Sequence, residues 1–445
     1  MWWFSELAFD KWELNKETAL YLFLHKIIDC DITKRTMIKN LLNSTSTDIH
    51  AEILDICTEF DSNYVFHHEK TDDIESITKK MRTLLNNVFS KDYFSFPDEI
   101  SIYPTLKCQL KCGFCFIHDK IRRESEVDNE KNIVEWKEII RESANQGVVS
   151  FSILGGEPFL YKDLNIILNE IIRNGVRATI TTNGIPIATQ EYDNIFELII
   201  SSDLVTPVFS IQTLNRKNED LMGISASISL NTLNRYLRRG KECRINSVFT
   251  RQNLDEIKAI IDFCVSVGIK RYSIAAYMHN HAGQEKYDNT ELSKVATLRE
   301  SIQTYLDEKN LTNVINVPVE GCMTFSTYHS KEAENLIETE FDRLYYGCGC
   351  GNTKLEILSN GDVYPCIAFN AVHKKDNLSN YASVVEMWND SPILRELRDV
   401  KNENRPQACK KCGFISFCSG GCPFRNYTEF GTYYNHKDVN CHVNV

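Results

Sequence analysis

Six short strand patterns alternate with helix patterns from Glu99 to about residue 277, and this alternation constrains the fold more than any other feature of the sequence. The strand candidates are rich in β-branched and aromatic residues, and several of the helical runs between them end at a glycine in the C-cap position. Strands that alternate with helices form a parallel sheet with right-handed crossovers, and ligands bind at the carboxyl ends of its strands. We therefore predict an α/β fold whose six strands are EISIYPT, VVSFSIL, RATITTN, TPVFSIQ, RINSVFT and KRYSIAAY.

The first strand candidate leads into a cysteine-rich loop, YPTLKCQLKCGFCFIHD. Its Cys108, Cys112 and Cys115 have the spacing Cys-x3-Cys-x2-Cys. Three thiolates on one short loop can hold three irons of a 4Fe-4S cube, which leaves the fourth iron open to a substrate or cofactor. An electron-transfer ferredoxin needs a fourth cysteine close by, and none occurs between Phe116 and Lys162. The spacing therefore indicates a reactive iron-sulfur site, with a zinc loop as the alternative.

The chain has sixteen cysteines, of which eight lie between Cys348 and Cys441. The first residues, MWWFSELAFDKWE, include acids and no basic run, so we expect no signal peptide and a cytoplasmic location. Cytosolic thiols stay reduced, which makes metal ligation a better explanation than disulfides. Four cysteines fall in helix or strand patterns and are expected to be ordinary core residues: Cys30, Cys57, Cys243 and Cys264.

Charge and hydropathy exclude two classes of partner. The formal net charge is −11 and the sequence contains no basic run that could neutralise phosphates, so we expect no nucleic-acid binding. No stretch of eighteen apolar residues is free of charge, so we expect no membrane span.

The cysteine loop, with Phe114 just before its last cysteine, resembles the signature of the radical S-adenosylmethionine enzymes. In that family the open iron chelates the amino and carboxylate groups of S-adenosylmethionine, and one electron splits the sulfonium to give a 5′-deoxyadenosyl radical. The resemblance implies a partial (β/α)6 TIM-like barrel, which we assign to residues 99–310.

The resemblance also implies cofactor contacts at the ends of the next strands. The second strand ends in the family's GGEP motif, whose carboxylate receives the methionyl amine, and the third ends in a TTNG run that is common in the family. The fourth strand ends where relatives often place polar contacts to the ribose and carboxylate of S-adenosylmethionine. Many relatives have an acid near this strand end, so Gln212 departs from the family pattern. The predicted cofactor-binding residues are Gly155, Gly156, Glu157, Thr182, Asn183, Ser210, Gln212 and Asn253.

The C-terminal cysteines, together with Gly361, resemble the SPASM pattern, Cys-x(9 to 15)-Gly-x4-Cys followed by Cys-x2-Cys-x5-Cys-x3-Cys and a last cysteine. We assign this domain to residues 311–445. The resemblance implies two auxiliary 4Fe-4S clusters, whereas a pair of zinc sites is the alternative. The fourth ligand of the first cluster is Cys350 or Cys322, unless an iron stays open for substrate. The implied ligands are Cys348, Cys366 and Cys422 for the first cluster and Cys409, Cys412, Cys418 and Cys441 for the second.

Residues 1–70 carry short aromatic strand patterns and three helix patterns, which predict an N-terminal winged-helix-like module. Few of these residues are basic. This plan resembles the PqqD-like recognition element, which binds a leader peptide as an added strand. An extension that only packs on the catalytic domain is the alternative. Residues 71–98 are predicted to be a linker helix.

Together these resemblances imply a radical S-adenosylmethionine SPASM peptide maturase that crosslinks a ribosomally synthesised precursor peptide bound through its leader. We expect three 4Fe-4S clusters, one of them binding S-adenosylmethionine, and an external flavodoxin or ferredoxin as electron donor. The bond is a thioether, slightly favoured, or a carbon–carbon bond, and no catalytic residue is assigned. The competing functions are a formylglycine maturase of anaerobic sulfatases and a zinc-stabilised peptide-binding protein without catalysis.

Overall fold

The structure, a computed structural model, describes residues 96–115, 117, 130–276, 295–320, 348–398, 404–412, 420–438 and 441. The predicted recognition element at residues 1–70 lies outside the described residues, as do residues 71–95 of the predicted linker helix, Cys322 and Cys418. No helix in the described ranges is long and apolar enough to cross a bilayer.

The described strands form one ten-stranded sheet in the order β10-β9-β8-β1-β2-β3-β4-β5-β6-β7. Every neighbouring pair from β8 to β7 is parallel, and only β9 and β10 are antiparallel to their neighbours. The six predicted strands are confirmed as the first six. The strands are β1 (Glu99–Tyr103), β2 (Ser150–Ile153), β3 (Arg177–Thr182), β4 (Val205–Ser210), β5 (Arg244–Phe249), β6 (Tyr272–Ala276), β7 (Val319–Glu320), β8 (Lys354–Leu358), β9 (Asp362–Tyr364) and β10 (Asp376–Asn377).

Helices follow most of the strands, as the sequence predicts for a parallel sheet. Glycines with positive φ, which only glycine adopts without strain, follow several of them, for example Gly175 (φ 68°) and Gly268 (φ 78°). The described helices are α1 (Ile133–Asn145), α2 (Leu164–Arg173), α3 (Asp193–Ser201), α4 (Lys217–Met222), α5 (Ala226–Arg238), α6 (Ile257–Ser266), α7 (Val295–Glu308), α8 (Val384–Asp390), α9 (Pro392–Arg398), α10 (Gln407–Lys410) and α11 (Pro423–Phe430).

One face of the sheet packs on the helices and forms the main core. Along β3 and β5 every second residue is buried, including Ala178, Ile180 and Ile245, and these side chains join the same core as Ile140 of α1 and Ile261 of α6. The predicted core cysteines Cys243 and Cys264 are buried at 2% and 0% exposure. The residues that alternate with the buried ones along β3 and β5 are only half-buried and face the opposite side of the sheet.

The cysteine-rich C-terminal segment is continuous with this sheet. Strand β8 pairs with β1 along its whole length, from Glu99 opposite Lys354 to Tyr103 opposite Leu358. The carboxylate of Glu142 on α1 also accepts hydrogen bonds from two backbone N–H groups at the start of α8, each at 2.9 Å. The second cysteine region is therefore anchored to the strand that leads into the first.

Candidate active site

The cysteine loop begins where β1 ends, and its backbone folds back on itself. The Cys115 N–H donates to the Cys112 carbonyl at 3.1 Å, and the Leu110 N–H donates to the Cys108 sulfur at 3.4 Å. Leu110 and Phe114 are buried, whereas all three cysteines are partly exposed. The loop thus buries its apolar side chains and leaves its three thiols accessible.

Helix α4 packs against this loop, and the sequence patterns did not identify it. Leu221 and Met222 are each 2% exposed and share a small apolar cluster with Leu110 and Phe114. The Gly113 N–H donates to the Leu221 carbonyl at 3.4 Å, and the thiol of Cys112 lies 3.8 Å from the Met222 carbonyl oxygen. The segment after β4 therefore fixes the far side of the cysteine loop.

The Gly-Gly-Glu turn after β2 packs against the approach to the cysteine loop. A Cβ at Gly155 would lie 2.4 Å from the Thr105 carbonyl oxygen, and one at Gly156 would lie 2.2 Å from that of Lys107. Instead, the Gly156 N–H donates to the Thr105 carbonyl at 3.0 Å, and the Glu157 N–H donates to the Lys107 carbonyl at 2.7 Å. The two glycines are thus needed for contact between two chain segments, and this contact positions Glu157 beside the cysteine loop.

Glu157 is a buried carboxylate, 1% exposed. Its oxygens accept hydrogen bonds from the Thr182 hydroxyl at 2.8 Å, the Asn183 N–H at 2.9 Å and the Phe159 N–H at 3.4 Å, all of them neutral donors. Burial raises the pKa of Glu157 to about 7, against the smaller opposite effect of these hydrogen bonds. A positively charged ligand group would stabilise the ionised form, so the site fits the ammonium of S-adenosylmethionine.

Asn183 connects Glu157 with the first cysteine. Its side-chain oxygen accepts from the Gln109 amide at 3.2 Å, and its side-chain nitrogen lies 4.0 Å from the Cys108 sulfur. The structure therefore brings Glu157, Thr182, Asn183 and Cys108 together, as expected for one cofactor site.

The other three predicted cofactor contacts, Ser210, Gln212 and Asn253, form a separate network between the ends of β4 and β5. The Gln212 amide nitrogen donates to the Ser210 hydroxyl at 3.1 Å, and its amide oxygen accepts from the Val248 N–H at 2.7 Å. Asn253 donates to the carbonyls of Gln212 and Val248 at 3.2 and 3.0 Å. Through these bonds Gln212 and Asn253, each 1% exposed, brace the strand ends, and a direct cofactor contact by them stays a prediction.

Four cysteines of the C-terminal region lie close together beside β8. The thiol of Cys350 lies within hydrogen-bonding reach of Cys348 and Cys366, and all three share one apolar cluster with Cys422. The hydrogen bond with Cys350 lowers the pKa of Cys348, whereas burial raises the pKa of Cys350 well above its usual value. Gly351, with a φ of 64°, forms the tight turn that leads from Cys350 into β8, and its N–H donates to the carbonyls of Lys354 and Pro365. Cys350 thus joins the three predicted ligands of the first auxiliary cluster.

The second C-terminal set is described in part. The Cys412 N–H donates to the Cys409 carbonyl at 3.1 Å on the turn that follows α10. Burial raises the pKa of Cys409, and the nearby thiols of Cys441 and Cys412 add to that effect. Three of the four predicted ligands are therefore neighbours, and the fourth, Cys418, lies outside the described residues.

Two polar pairs near the cysteines were missed by the sequence reasoning. The hydroxyl of Tyr103, on β1, donates to Glu356, on β8, at 2.9 Å, and burial raises the pKa of Glu356 to about 7. Arg425 and Asp438 form a buried ion pair at 2.6 Å next to Cys422. Neither pair has a recognisable motif, because each joins residues that only the folded chain brings together.

The donor chemistry of both cysteine regions fits iron-sulfur clusters. Such clusters are held by cysteine thiolates, and each region supplies at least three of them. The buried carboxylate of Glu157 beside three accessible thiols fits S-adenosylmethionine at the first cluster.

The chain matches two family models, the Radical SAM superfamily over residues 102–264 and the SPASM iron-sulfur cluster-binding domain over residues 348–413. It is 31% identical to Streptococcus suis SuiB bound to its precursor peptide SuiA, with 89% of each chain covered and a TM-score of 0.69. The chain is 32% identical to the structure of the same protein bound to S-adenosylmethionine, with a TM-score of 0.68. That match covers 88% of this chain and 90% of SuiB. The PqqA peptide cyclase of Methylorubrum extorquens is 23% identical over 331 residues, which are 72% of this chain and 78% of that protein.

Proposed function

Because this chain belongs to the radical S-adenosylmethionine enzymes with a SPASM domain, we propose that it closes a crosslink within a ribosomally synthesised precursor peptide. The observation that carries the proposal is the pairing of β1 with β8, which anchors a half-buried to buried four-cysteine group to the strand that leads into a partly exposed three-cysteine loop. The relatives that bind or cyclise peptides, SuiB with its precursor SuiA and the PqqA peptide cyclase, support the substrate class.

The cofactor site is proposed to consist of Cys108, Cys112 and Cys115 as cluster ligands and Glu157 as the acceptor of the methionyl ammonium. When bound, the cluster and S-adenosylmethionine would supply a 5′-deoxyadenosyl radical able to remove hydrogen from the peptide, and the auxiliary clusters would supply an acceptor for the electron released as the bond closes. The peptide loses two hydrogens in all, one as an atom and the other as a proton and an electron. The hydrogen bonds from Thr182 and Asn183 orient Glu157 for its role.

The first auxiliary cluster is proposed to be held by Cys348, Cys350, Cys366 and Cys422, and Cys350 is our choice for the fourth ligand. The contacts of Cys350 with Cys348 and Cys366 support that choice over Cys322. The second cluster would use Cys409, Cys412, Cys418 and Cys441, which gives three clusters in all. The proposed domains are a recognition element at 1–70, a linker at 71–98, the barrel at 99–310 and the SPASM domain at 311–445.

Residues 1–70 are proposed to bind the leader of the precursor peptide. A flavodoxin or ferredoxin is proposed to deliver the electron that cleaves S-adenosylmethionine. We expect that deleting residues 1–70 abolishes processing of the full precursor and leaves reductive cleavage of S-adenosylmethionine largely intact. Mass spectrometry of the peptide and chromatography of 5′-deoxyadenosine measure the two results. Unchanged processing by the truncated enzyme would show that another part of the chain recognises the leader.

The test of the proposed function is anaerobic incubation of the enzyme with its precursor, followed by mass spectrometry. A crosslinked peptide is lighter by two hydrogens. A thioether also removes one thiol from alkylation by iodoacetamide, whereas a carbon–carbon bond leaves every thiol reactive. The matched control is Cys264→Ala, a buried core cysteine on α6, which should retain activity. A colourless protein that contains zinc and no iron or sulfide would refute the proposed enzymatic function.

A further inference from the structure

The buried ion pair of Arg425 and Asp438 adjoins the first auxiliary cysteine group. Arg425 is 8% exposed and Asp438 is 4% exposed. The guanidinium donates to both carboxylate oxygens, at 3.0 Å from Nε and 2.6 Å from Nη2. A buried pair with this two-point geometry holds its charges in fixed positions, unlike an exposed pair.

The pair is joined directly to a predicted cluster ligand. The Cys422 N–H donates to the Asp438 carboxylate at 2.7 Å, and it uses the same oxygen that accepts from Arg425 Nη2. The preceding residue, Gly421, has a φ of 94°, and a Cβ there would lie 2.4 Å from Asp438. Asp438 therefore fixes both the backbone of Cys422 and the position of the guanidinium.

The position of Arg425 follows from the helix that carries it. Helix α11 begins directly after Cys422, so Arg425 lies one turn from that cysteine. Cys348, Cys350 and Cys366 belong to the same apolar cluster as Cys422. The side chain of Lys354, by contrast, is half-exposed and pairs with Glu99 at 2.8 Å. Arg425 is thus a buried cation held beside the four cysteines.

We propose that Arg425, held in place by Asp438, is a positioning residue that raises the reduction potential of the first auxiliary cluster. The inference rests on the proposed cluster at Cys348, Cys350, Cys366 and Cys422. A reduced 4Fe-4S centre carries one more negative charge than the oxidised centre, so a fixed neighbouring cation favours the reduced form. The physical consequence is a cluster better suited to accept an electron from the peptide.

The prediction separates charge from structure because the two members of the pair have opposite signs. Arg425→Gln removes a cation and should move the midpoint potential of one auxiliary cluster to a more negative value. Asp438→Asn removes an anion and should move the same potential to a more positive value. Arg425→Lys keeps the charge and should restore a potential close to that of the parent.

The experiment uses the full chain with Cys108, Cys112 and Cys115 replaced by alanine, so that only auxiliary clusters contribute to the electron paramagnetic resonance signal during a reductive titration. The matched control is Arg141→Gln, which breaks a two-point ion pair to Glu170 between α1 and α2, away from the cysteines. The control should not shift.

Shifts of opposite sign in the two single variants support the inference. Unchanged midpoints, or shifts of the same sign, overturn it. If the first cluster does not assemble in Arg425→Gln, the result for Arg425→Lys is decisive. A cluster with the parent potential in Arg425→Lys supports the inference, whereas loss of the cluster from this variant as well overturns it. A parent protein without any iron-sulfur signal would instead contradict the proposed auxiliary clusters, and with them this inference.

Discussion

The two cysteine regions are connected through the pairing of β1 with β8, yet their surroundings differ. The first is a loop with three partly exposed cysteines, an apolar support and the buried carboxylate of Glu157 nearby. The second gathers four cysteines, of which Cys350 and Cys422 are buried and Cys348 and Cys366 are partly exposed, with a buried ion pair beside them. Three thiols with a nearby carboxylate suit the proposed open cluster that binds the cofactor, whereas four thiols suit the proposed fully ligated cluster that transfers electrons.

Removing one ligand from each region should separate these two roles, and it is the largest expected effect. Cys112→Ala should abolish formation of 5′-deoxyadenosine, because three thiolates are needed to hold the cube that binds the cofactor. Cys422→Ala should retain that cleavage but stop crosslinking of the peptide. Chromatography of 5′-deoxyadenosine and mass spectrometry of the peptide check both results. If Cys112→Ala still forms 5′-deoxyadenosine, the first region is not the cofactor site.

A methyl group at Gly156 should disturb only the first region. In Gly156→Ala the new Cβ meets the carbonyl oxygens of Lys107 and Leu106 at 2.2 and 2.5 Å, so the approach to the cysteine loop must shift. We expect loss of most iron from the first cluster and retention of the auxiliary iron. Gly268→Ala is the control, since nothing lies within 4 Å of its Cβ and its positive φ costs alanine roughly 1–2 kcal/mol of stability. Equal iron loss in both variants would contradict a specific steric effect.

The charge of Glu157 should have a smaller, graded effect on cofactor binding. Glu157→Gln should weaken S-adenosylmethionine binding about 10- to 100-fold, because a hydrogen bond to a charged group contributes about 1.5–3 kcal/mol. Equilibrium binding measured by calorimetry checks this value. The iron content should not change, and a variant that binds the cofactor as tightly as the wild type would exclude Glu157 as the ammonium acceptor.

The same carboxylate predicts how binding depends on pH. Since the pKa of Glu157 is raised to about 7 in the ligand-free protein, the group loses its charge as the pH falls below that value. Attraction for the ammonium weakens in the same direction, so affinity should fall by roughly tenfold per pH unit well below pH 7 and level off above it. Glu157→Gln should lack this dependence. A wild-type profile that matches the variant between pH 5 and 8 would assign the dependence to another group.

The barrel strands could be predicted from sequence because their alternation is local. All six expected strands are present, and several predicted helix ends coincide with glycines such as Gly175 and Gly268. Helix α4 was missed because six residues hold too little periodicity for a helix pattern. The pairing of Glu99 with Lys354 could not be read from the sequence either, since no local pattern encodes contact between residues so far apart.

The site was predictable where chemistry requires one residue type and less so where any polar residue serves. Thiols and the Gly-Gly-Glu turn have few other uses at strand ends, and the structure brings Glu157, Thr182 and Asn183 to the cysteine loop. Gln212 was predicted from polar contacts that the family often makes at the fourth strand end, and Asn253 as a similar candidate after the fifth strand. Both hydrogen-bond to the backbone in the structure, and their contact with the cofactor stays a prediction. Sequence alone cannot separate a residue that lines a site from one that supports it.

The central claim is that S-adenosylmethionine binds the open iron of the cluster on the Cys108–Cys115 loop. Electron–nuclear double resonance on the reduced enzyme, with the cofactor labelled with ¹⁵N at its amino group and ¹⁷O at its carboxylate, tests it most directly. The account predicts strong coupling of both labels to a reduced 4Fe-4S cluster, lost in Cys112→Ala and kept in Cys422→Ala. Absence of coupling in the wild-type enzyme with bound cofactor would contradict it.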